Sequence, residues 1–241
     1  MRFIQHVLAT IGLTLMVASV SATPAAPQSG VDYRTLDKPQ NTESGKKIEV
    51  TEFFWYSCPH CFAFEPHLAE WAKKHADTIV FKRVPVNFRE SFIPQQKLYY
   101  ALEAMGKSEE LQGKIFHAIH VDHQNLDTDA AILEFVVKQG IDKQKFSDAY
   151  NAFGTQAKVK RALALQDAYK IDGVPTIAID GKYETSPSIV GSTMGRQPEA
   201  ALAAAALQVM DALLVKVHSE HRVAASTPTV LPAAIKVAVK K

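Results

Sequence analysis

Two apolar runs separated by a helical stretch dominate the first half of the chain. Ile48 to Tyr56 is β-branched and aromatic and is apolar on both alternating faces, which is typical of a central strand covered on two sides. Pro59 suits the first turn of a following helix, and Pro66 should kink that helix before it ends near His75. Thr78 to Val86 has the composition of a second strand. The pattern therefore predicts a strand–helix–strand unit.

Helical periodicity without a strand signal extends over residues 93–167. Apolar residues at i, i+3, i+4, i+7 spacing predict a first helix around Leu98, and we expect four further helices after it along the chain. Thr128 or Asp127 can cap the third helix, and Gly140 can end it. We therefore expect an α-helical insertion that interrupts the strand-bearing part of the chain.

Strand patterning returns after the insertion. Val174 to Ile179 predicts a strand, Asp180-Gly181 is a strong signal for a two-residue hairpin, and Lys182 to Thr185 supplies the partner strand. A final helix with an apolar stripe begins near Pro198. This order of elements resembles an α/β, thioredoxin-like fold with an inserted α-helical domain.

The patterns divide the chain into five segments. The N-terminus has the features of an export signal. Arg2 gives a cationic start, an uncharged apolar run extends from Val7 to Val20, and small residues precede a predicted cleavage site after Ala22. A membrane anchor is the alternative, but the run is shorter than the ~20 residues that a span needs, and we expect no later stretch to span a membrane. We predict a signal peptide at 1–22, thioredoxin-like parts at 23–92 and 168–222, the helical insertion at 93–167 and a disordered tail at 223–241. The alternative for the tail is a basic, apolar segment that touches a membrane surface.

Composition narrows the class of function. The chain has 47% hydrophobic residues, enough for a full core, and its formal net charge of +2 gives no reason to expect nucleic acid as a partner. It contains only two cysteines, so an exported form is not a disulfide scaffold. A disulfide between residues so close in sequence adds only roughly 2 kcal/mol of stability, before strain is subtracted. The pair is therefore expected to serve chemistry.

The cysteines form the motif Cys58-Pro59-His60-Cys61 directly after the first predicted strand. At the start of a helix, exposed backbone N–H groups and the macrodipole favour a thiolate at Cys58, and His60 adds a donor or a positive charge. Pro59 stiffens the turn, and Cys61 should be less exposed and more often protonated. In thiol–disulfide exchange we expect Cys58 to be the sulfur that attacks a disulfide and that is attacked by another thiolate, and Cys61 to resolve the mixed disulfide. Because a stabilised thiolate stabilises the reduced protein, the disulfide becomes a better oxidant.

Half of a zinc or copper site is the alternative explanation for two cysteines at this spacing. The clustered candidates for the missing ligands are His117, His120 and His123, whose spacing spreads them around a helix. We predict no metal and no cofactor, and we expect these histidines to face solvent or a partner.

Three charged residues are candidates for tuning the cysteines. Glu52 shares a strand face with apolar residues, so burial should raise the pKa of its carboxyl. Either Glu52 relays protons to Cys61, or its carboxylate is paired with a neighbouring group and has no role in turnover. Arg83, on the adjacent strand, is its candidate counter-charge. For Glu65 we expect a solvated helix position, with electrostatic tuning as the alternative.

Three segments resemble the DsbA family of bacterial periplasmic thiol:disulfide oxidases: the run from Phe53 to Cys61, Val86-Asn87-Phe88, and Gly173-Val174-Pro175-Thr176. The resemblance covers about residues 30–220, and the Pro-His pair between the cysteines is its most specific part. From residue type alone, Pro175 is expected to follow an ordinary trans bond. The resemblance instead implies a cis Val174–Pro175 bond that faces the disulfide.

The resemblance has further implications for the site. The backbone of Val174 would pair with an extended substrate chain, the pKa of Cys58 would be low, and Glu52 and Glu65 would occupy the charged positions of the family. Arg83 stands where the family pattern can carry lysine, and a guanidinium cannot shuttle a proton. A lysine-based proton relay is therefore not expected in this chain.

Together these observations predict a periplasmic, monomeric thiol:disulfide oxidoreductase that introduces disulfide bonds into exported proteins. Its expected partners are reduced or unfolded exported proteins and a DsbB-like membrane quinone reductase that reoxidises it, with no role for nucleic acid. A disulfide isomerase or reductase is the alternative within the same chemistry; such proteins often dimerise through an extra domain, and we expect none before Ile48. A periplasmic metal-binding or chaperone module is the alternative from another class.

Overall fold

A mixed β-sheet forms the centre of the protein. The structure is a computed structural model, and it describes residues 26–226. Within that range the sheet has five strands in the order β1-β5-β4-β2-β3. The strands are β1 (Arg34–Thr35), β2 (Ile48–Phe54), β3 (Ile79–Pro85), β4 (Thr176–Ile179) and β5 (Tyr183–Thr185). β2 pairs in parallel with β3 and antiparallel with β4, so the predicted α/β class is confirmed.

The predicted strand–helix–strand unit consists of β2, helix α1 (Pro59–Lys74) and β3. All seven residues of β2 are buried, because the strand is central and covered on both faces, which explains its continuous apolar pattern. Cys58 is the N-cap residue of α1, and the helix continues through Pro66. The two cysteines therefore lie at a strand-to-helix turn.

The helical insertion occupies the region where helical periodicity predicted it. A short 3₁₀ turn (Glu90–Phe92) leads into α2 (Ile93–Ala104), α3 (Ser108–His120), α4 (Asp129–Lys138), α5 (Lys143–Asn151) and α6 (Phe153–Ala168). Thr128 and Asp127 are the two predicted N-caps of α4. Thr128 is the N-cap, since its hydroxyl oxygen accepts a hydrogen bond from the amide of Ala131. Gly140 follows α4 with a φ of 84°, a conformation that glycine adopts without steric cost.

The predicted hairpin joins β4 to β5, with Asp180 and Gly181 both at positive φ, but the connection is one residue longer than predicted because Lys182 also lies between the paired Ile179 and Tyr183. Gly181 is required here, because a Cβ at this position would lie 2.1 Å from the carbonyl oxygen of Gln40. A short helix, α7 (Pro187–Gly191), follows and was not predicted, although Ser186 caps it through the amide of Ile189. Its single turn is too short to show an apolar period.

The last helix, α8 (Glu199–Ser226), starts where predicted and ends later than predicted. The prediction of a disordered tail from residue 223 is wrong for residues 223–226, because this alanine-rich stretch continues the helix. Residues 227–241 of the predicted tail, and the signal peptide predicted at 1–22, lie outside the described residues.

The composition of α8 reflects its packing in the core. Within Glu199–Ala224 an 18-residue window has a mean hydropathy of 1.7, so this helix matches a membrane span by length and composition, and our expectation that no later stretch would do so is wrong on those criteria. Its apolar side is buried against β2, β4 and α1 through Val209, Met210, Leu213 and Val217. The helical insertion packs on the sheet through Phe54, whose ring centroid lies 5.5 Å from that of Tyr99 and 6.2 Å from that of Phe116.

Candidate active site

The turn between β2 and α1 places the two sulfur atoms side by side. The amide of Cys58 donates to the carbonyl of Trp55 at 3.0 Å, which closes the turn, and the amide of Cys61 donates to Cys58 Sγ at 3.4 Å. Pro59 takes the first helical position, where no N–H is needed. Both cysteines are free thiols; Cys61 is fully buried, whereas Cys58 is 7% exposed. Only Cys58 is therefore accessible to another thiol.

The environment separates the acidities of the two thiols. The pKa of Cys58 is lowered from 9.0 to about 6, mainly because the Cys61 thiol donates a hydrogen bond to the Cys58 sulfur. The backbone amides of Cys61 and His60 and the charge on His60 act in the same direction, whereas burial opposes the shift. Burial raises the pKa of Cys61 well above 9.0, and the neighbouring Cys58 sulfur adds to that effect. At neutral pH the reduced site therefore holds a thiolate at Cys58 and a thiol at Cys61.

The lowered pKa has a consequence for the redox equilibrium. A thiol that ionises near pH 6 instead of 9.0 stabilises the reduced protein at pH 7. Because pH 7 lies one unit above that pKa, the gain is at most roughly tenfold, or ~30 mV for a two-electron couple, and solvent screening of the charges around the sulfur reduces it. Since the pKa in the folded state is the depressed one, this stabilisation is complete above the unfolded pKa and is lost as the pH falls through about 6.

The segment before β4 faces the accessible sulfur. The Val174–Pro175 bond is cis, as the resemblance implied and contrary to the expectation from residue type. When Cys58 is protonated, its thiol can donate to the carbonyl of Val174, 3.4 Å from the sulfur. A groove of about 560 Å³ begins beside this contact and is lined by His60, Val174 and Pro175 among others. An extended chain that delivers a thiol to Cys58 would pass along this backbone.

His60 points away from the core and is held by a residue that sequence reasoning missed. Its side chain is 65% exposed, and Nδ1 lies 2.8 Å from Oε1 of Glu199, the first residue of α8. An acidic residue in a first helical turn is a visible sequence signal. Its contact with the cysteine motif spans 139 positions of chain and depends on the packing of α8 beside α1.

Replacing His60 with alanine is expected to raise the pKa of Cys58 by about half a unit to one unit, because a neighbouring positive charge is removed. The protein should then be a weaker oxidant. Thiolate absorbance against pH measures the shift, with His67→Ala, an exposed residue of the same helix, as the matched control. An unchanged midpoint in His60→Ala would refute the role assigned to His60.

A buried charge cluster lies behind the cysteines. Arg83 Nε donates to Glu52 Oε2 at 2.9 Å, and Arg83 Nη2 donates to Glu65 Oε1 at 3.0 Å. Arg83 Nη1 reaches Glu109 Oε1 at 2.6 Å, and Glu109 belongs to α3 of the helical insertion. The expectation of a solvated Glu65 is wrong: the residue is buried, because both α3 and α8 pack against α1. Glu109 was not among the predicted residues.

The cluster holds three carboxylates around a single guanidinium. Burial raises the pKa of Glu52 against the opposing effect of Arg83, and it raises the pKa of Glu65 to about 8, with Glu52 adding to the shift. One oxygen of each, Glu52 Oε1 and Glu65 Oε2, is buried without a hydrogen-bond partner in the described part of the chain. The pair therefore retains a proton near neutral pH, and the ionised states of Glu52 and Cys61 disfavour each other.

The three clustered histidines have different surroundings. His120 is half-buried, stacks on Phe62 with ring centroids 4.8 Å apart and donates from Nε2 to the carbonyl of Tyr56 at 2.8 Å. Of the two positions expected for it, facing solvent or facing a partner, the solvated one is therefore wrong. His117 and His123 are exposed as expected. Between residues 26 and 226, no group of three or more His, Cys, Asp or Glu side chains is placed to hold a metal ion.

Comparison with known proteins identifies the group to which this arrangement is related. Residues 81–206 match the family model described as DSBA-like thioredoxin domain. The chain is 46% identical over 194 residues to the thiol:disulfide interchange protein DsbA of Burkholderia cepacia, which covers 79% of this chain and 92% of the relative. It is 36% identical to the protein of the same name from Pseudomonas aeruginosa over 196 residues, 79% of this chain and 92% of that relative.

Solved structures give the same result for the fold. The crystal structure of Pseudomonas aeruginosa DsbA superposes with a TM-score of 0.73 at 32% identity and covers 81% of this chain and 97% of that one. The oxidoreductase NmDsbA1 from N. meningitidis superposes with a TM-score of 0.68 at 25% identity over 81% of this chain and 96% of that one. The thioredoxin-like fold with a helical insertion is therefore confirmed.

Proposed function

Since the chain belongs to the family of DSBA-like thioredoxin domains, we propose that it introduces disulfide bonds into exported proteins by exchange through Cys58 and Cys61. The observation that carries the proposal is the asymmetry of the pair: an accessible sulfur whose pKa is lowered to about 6, next to a buried thiol whose pKa is raised. A sulfur that is stable as a thiolate is a good leaving group and makes the disulfide oxidising.

Client oxidation proceeds in two displacements. A client thiolate attacks Cys58 Sγ of the protein disulfide, the S–S bond breaks, and Cys61 leaves as a thiolate that takes up a proton. The second client thiolate then attacks the client sulfur of the mixed disulfide, and Cys58 leaves as a thiolate. Two electrons pass from the client to the protein; one client proton ends on Cys61, and the other enters solvent because Cys58 stays ionised at neutral pH.

Reoxidation reverses these roles. The Cys58 thiolate attacks the disulfide of the reoxidising partner, and Cys61 must lose its proton to attack Cys58 and release that partner. We assign the proton acceptor to Glu52, because its carboxyl is buried and interacts electrostatically with both cysteines. Arg83 orients this carboxylate but cannot carry the proton itself. Glu65, on the same guanidinium, tunes the charge of the cluster.

The client is held by its backbone. Val174 lies against Cys58 beside the groove, so an extended client segment can add its main-chain hydrogen bonds there, with Pro175 shaping the turn. Recognition through the main chain accepts many sequences, which suits an enzyme whose clients are reduced or unfolded proteins.

We place the protein in the periplasm as a monomer, where an oxidising environment maintains disulfides. The predicted export signal supports this placement. Its proposed reoxidising partner is a DsbB-like membrane quinone reductase. Such a partner returns the two electrons to the membrane and regenerates the disulfide.

The equilibrium with glutathione tests the proposed direction. We expect the Cys58–Cys61 couple to have a reduction potential above about −180 mV, the value typical of isomerases, because the reduced form is stabilised by its thiolate. Protein equilibrated at a series of glutathione ratios, trapped with a thiol reagent and weighed by mass spectrometry gives the value. A potential near −270 mV, typical of a reductant, would reverse the proposal.

A further inference from the structure

Glu184 on β5 lies in the wall of the groove beside the contact between Cys58 and Val174. The groove, about 560 Å³, is lined by His60, Val174, Pro175 and, further along, Glu184. Glu184 is only 6% exposed, yet its Oε1 atom has no hydrogen-bond partner among residues 26–226, and the structure shows no ion pair for the carboxylate in that range. A buried carboxylate oxygen without a donor is destabilising, and its position beside a cavity is where a ligand could supply one.

The other titratable residues of the groove wall are already paired. His60 contacts Glu199 at 2.8 Å, and Arg34 contacts Asp172 at 3.9 Å. Lys170 contacts Asp37 at 2.8 Å. Glu184 is thus the titratable wall residue that makes no ion-pair contact within the described range, although Arg34 is its neighbour across the β1–β5 pair. Burial raises the pKa of Glu184 to about 7, and the charge of Arg34 works against that shift.

We propose that Glu184 forms a subsite for a lysine or arginine side chain of the client, so that clients with a basic residue near the reactive cysteine are oxidised fastest. The inference rests on the proposed function and specifies its clients. A cationic head group brings the N–H donors that the carboxylate lacks and balances its charge, and hydrogen bonds between charged groups are among the stronger ones.

The subsite is within reach of a chain bound at the cysteine. Glu184 pairs with Ala178, which lies four positions along β4 from Val174. At ~3.3 Å per extended residue this is about 13 Å, so we expect the basic residue roughly three to five positions from the client cysteine. An acidic client side chain is the competing occupant, through Arg34 or Lys170. It is disfavoured because each of those cations already has an aspartate.

Matched peptides test the subsite. Each peptide contains two reduced cysteines and differs at one position, four residues from the nearer cysteine, which is lysine, norleucine or glutamate. We expect the oxidised full-length protein to oxidise the lysine peptide about tenfold faster than the norleucine peptide in single-turnover kinetics, the lower end of the range for a charged hydrogen bond. In Glu184→Gln, which preserves size and shape, the ratio should fall to within about twofold.

The control is Glu134→Gln, which removes the same charge from the exposed surface of α4 and should keep the tenfold ratio. An unchanged ratio in Glu184→Gln, equal rates for all three peptides, or a faster glutamate peptide would each overturn the subsite. Rates are normalised to the oxidation of reduced glutathione by the same variant. Failure of the wild-type protein to oxidise glutathione would count against the proposed function, whereas normal glutathione oxidation without a charge preference would count against Glu184 alone.

Discussion

Replacing Cys58 with serine is expected to abolish disulfide exchange, and replacing Cys61 with serine is expected to trap mixed disulfides between the protein and its clients. The two variants differ because Cys58 is the sulfur that a client reaches, whereas Cys61 is fully buried and protonated. Without Cys58 no mixed disulfide forms. Without Cys61 the mixed disulfide forms at Cys58 and has no internal thiol to displace it.

Oxidation of a reduced model protein, followed by non-reducing gels and mass spectrometry, distinguishes these outcomes. Cys58→Ser should give the uncatalysed rate and no adduct, and Cys61→Ser should give an adduct of one protein and one client that dithiothreitol releases. The double variant Cys58→Ser/Cys61→Ser is the control and should form none. Normal turnover by Cys61→Ser would show that the roles of the two sulfurs are assigned incorrectly.

Replacing Arg83 with methionine is expected to lower the free energy of unfolding by about 3–5 kcal/mol at pH 7. Arg83 is 4% exposed and donates to the buried Glu52 and Glu65 and to the exposed Glu109, so its removal leaves the two buried carboxylates without a counter-charge. The matched control is Lys82→Met on the same strand. Lys82 is 34% exposed, and the buried Glu49 keeps its hydrogen bond from the amide of Glu43, so this change should cost only about 1 kcal/mol.

The loss in Arg83→Met should depend on pH in a defined direction. Burial raises the pKa of Glu52 and Glu65 in the folded protein, and removal of the guanidinium raises both further. A raised carboxyl pKa costs stability above the unfolded value of ~4.5 and costs nothing when both states are protonated. Urea unfolding of the reduced variant at pH 7 and pH 4 should therefore show the larger deficit at pH 7. A deficit below about 1 kcal/mol at both pH values would mean that the ion pairs do not stabilise the fold.

Local sequence patterns predicted much of the site, because several of its features arise from local structure. The Cys58–Cys61 motif follows a buried strand and opens a helix, and the chemistry of a helix N-terminus acts over a few residues. The alternation along β2 placed Glu52 on a buried face in the same way. The Asp180-Gly181 hairpin is also a local signal, since two residues set its backbone conformation.

The residues that sequence analysis missed belong to the site through tertiary packing. Glu109 reaches Arg83 because α3 packs against α1, and Glu199 reaches His60 because α8 begins beside the cysteines. The sequence predicts a surface position for Glu65, because the apolar period of α1 does not reveal that two other helices pack against this helix. The unpartnered Oε1 atom of Glu184 lies beside a groove whose lining comes from segments far apart in sequence. Spacing along the chain contains little information on any of these contacts.

The titration of Cys58 tests the account most directly. Ultraviolet absorbance of the thiolate, recorded on the reduced protein against pH, with Cys58→Ser as the blank for Cys61, should show a midpoint at about 6. Cys61 should not ionise in that range, because its pKa is raised well above 9.0. A midpoint near ~8.5, the value of an ordinary cysteine, would contradict the claim that this fold stabilises the thiolate and thereby makes its disulfide an oxidant.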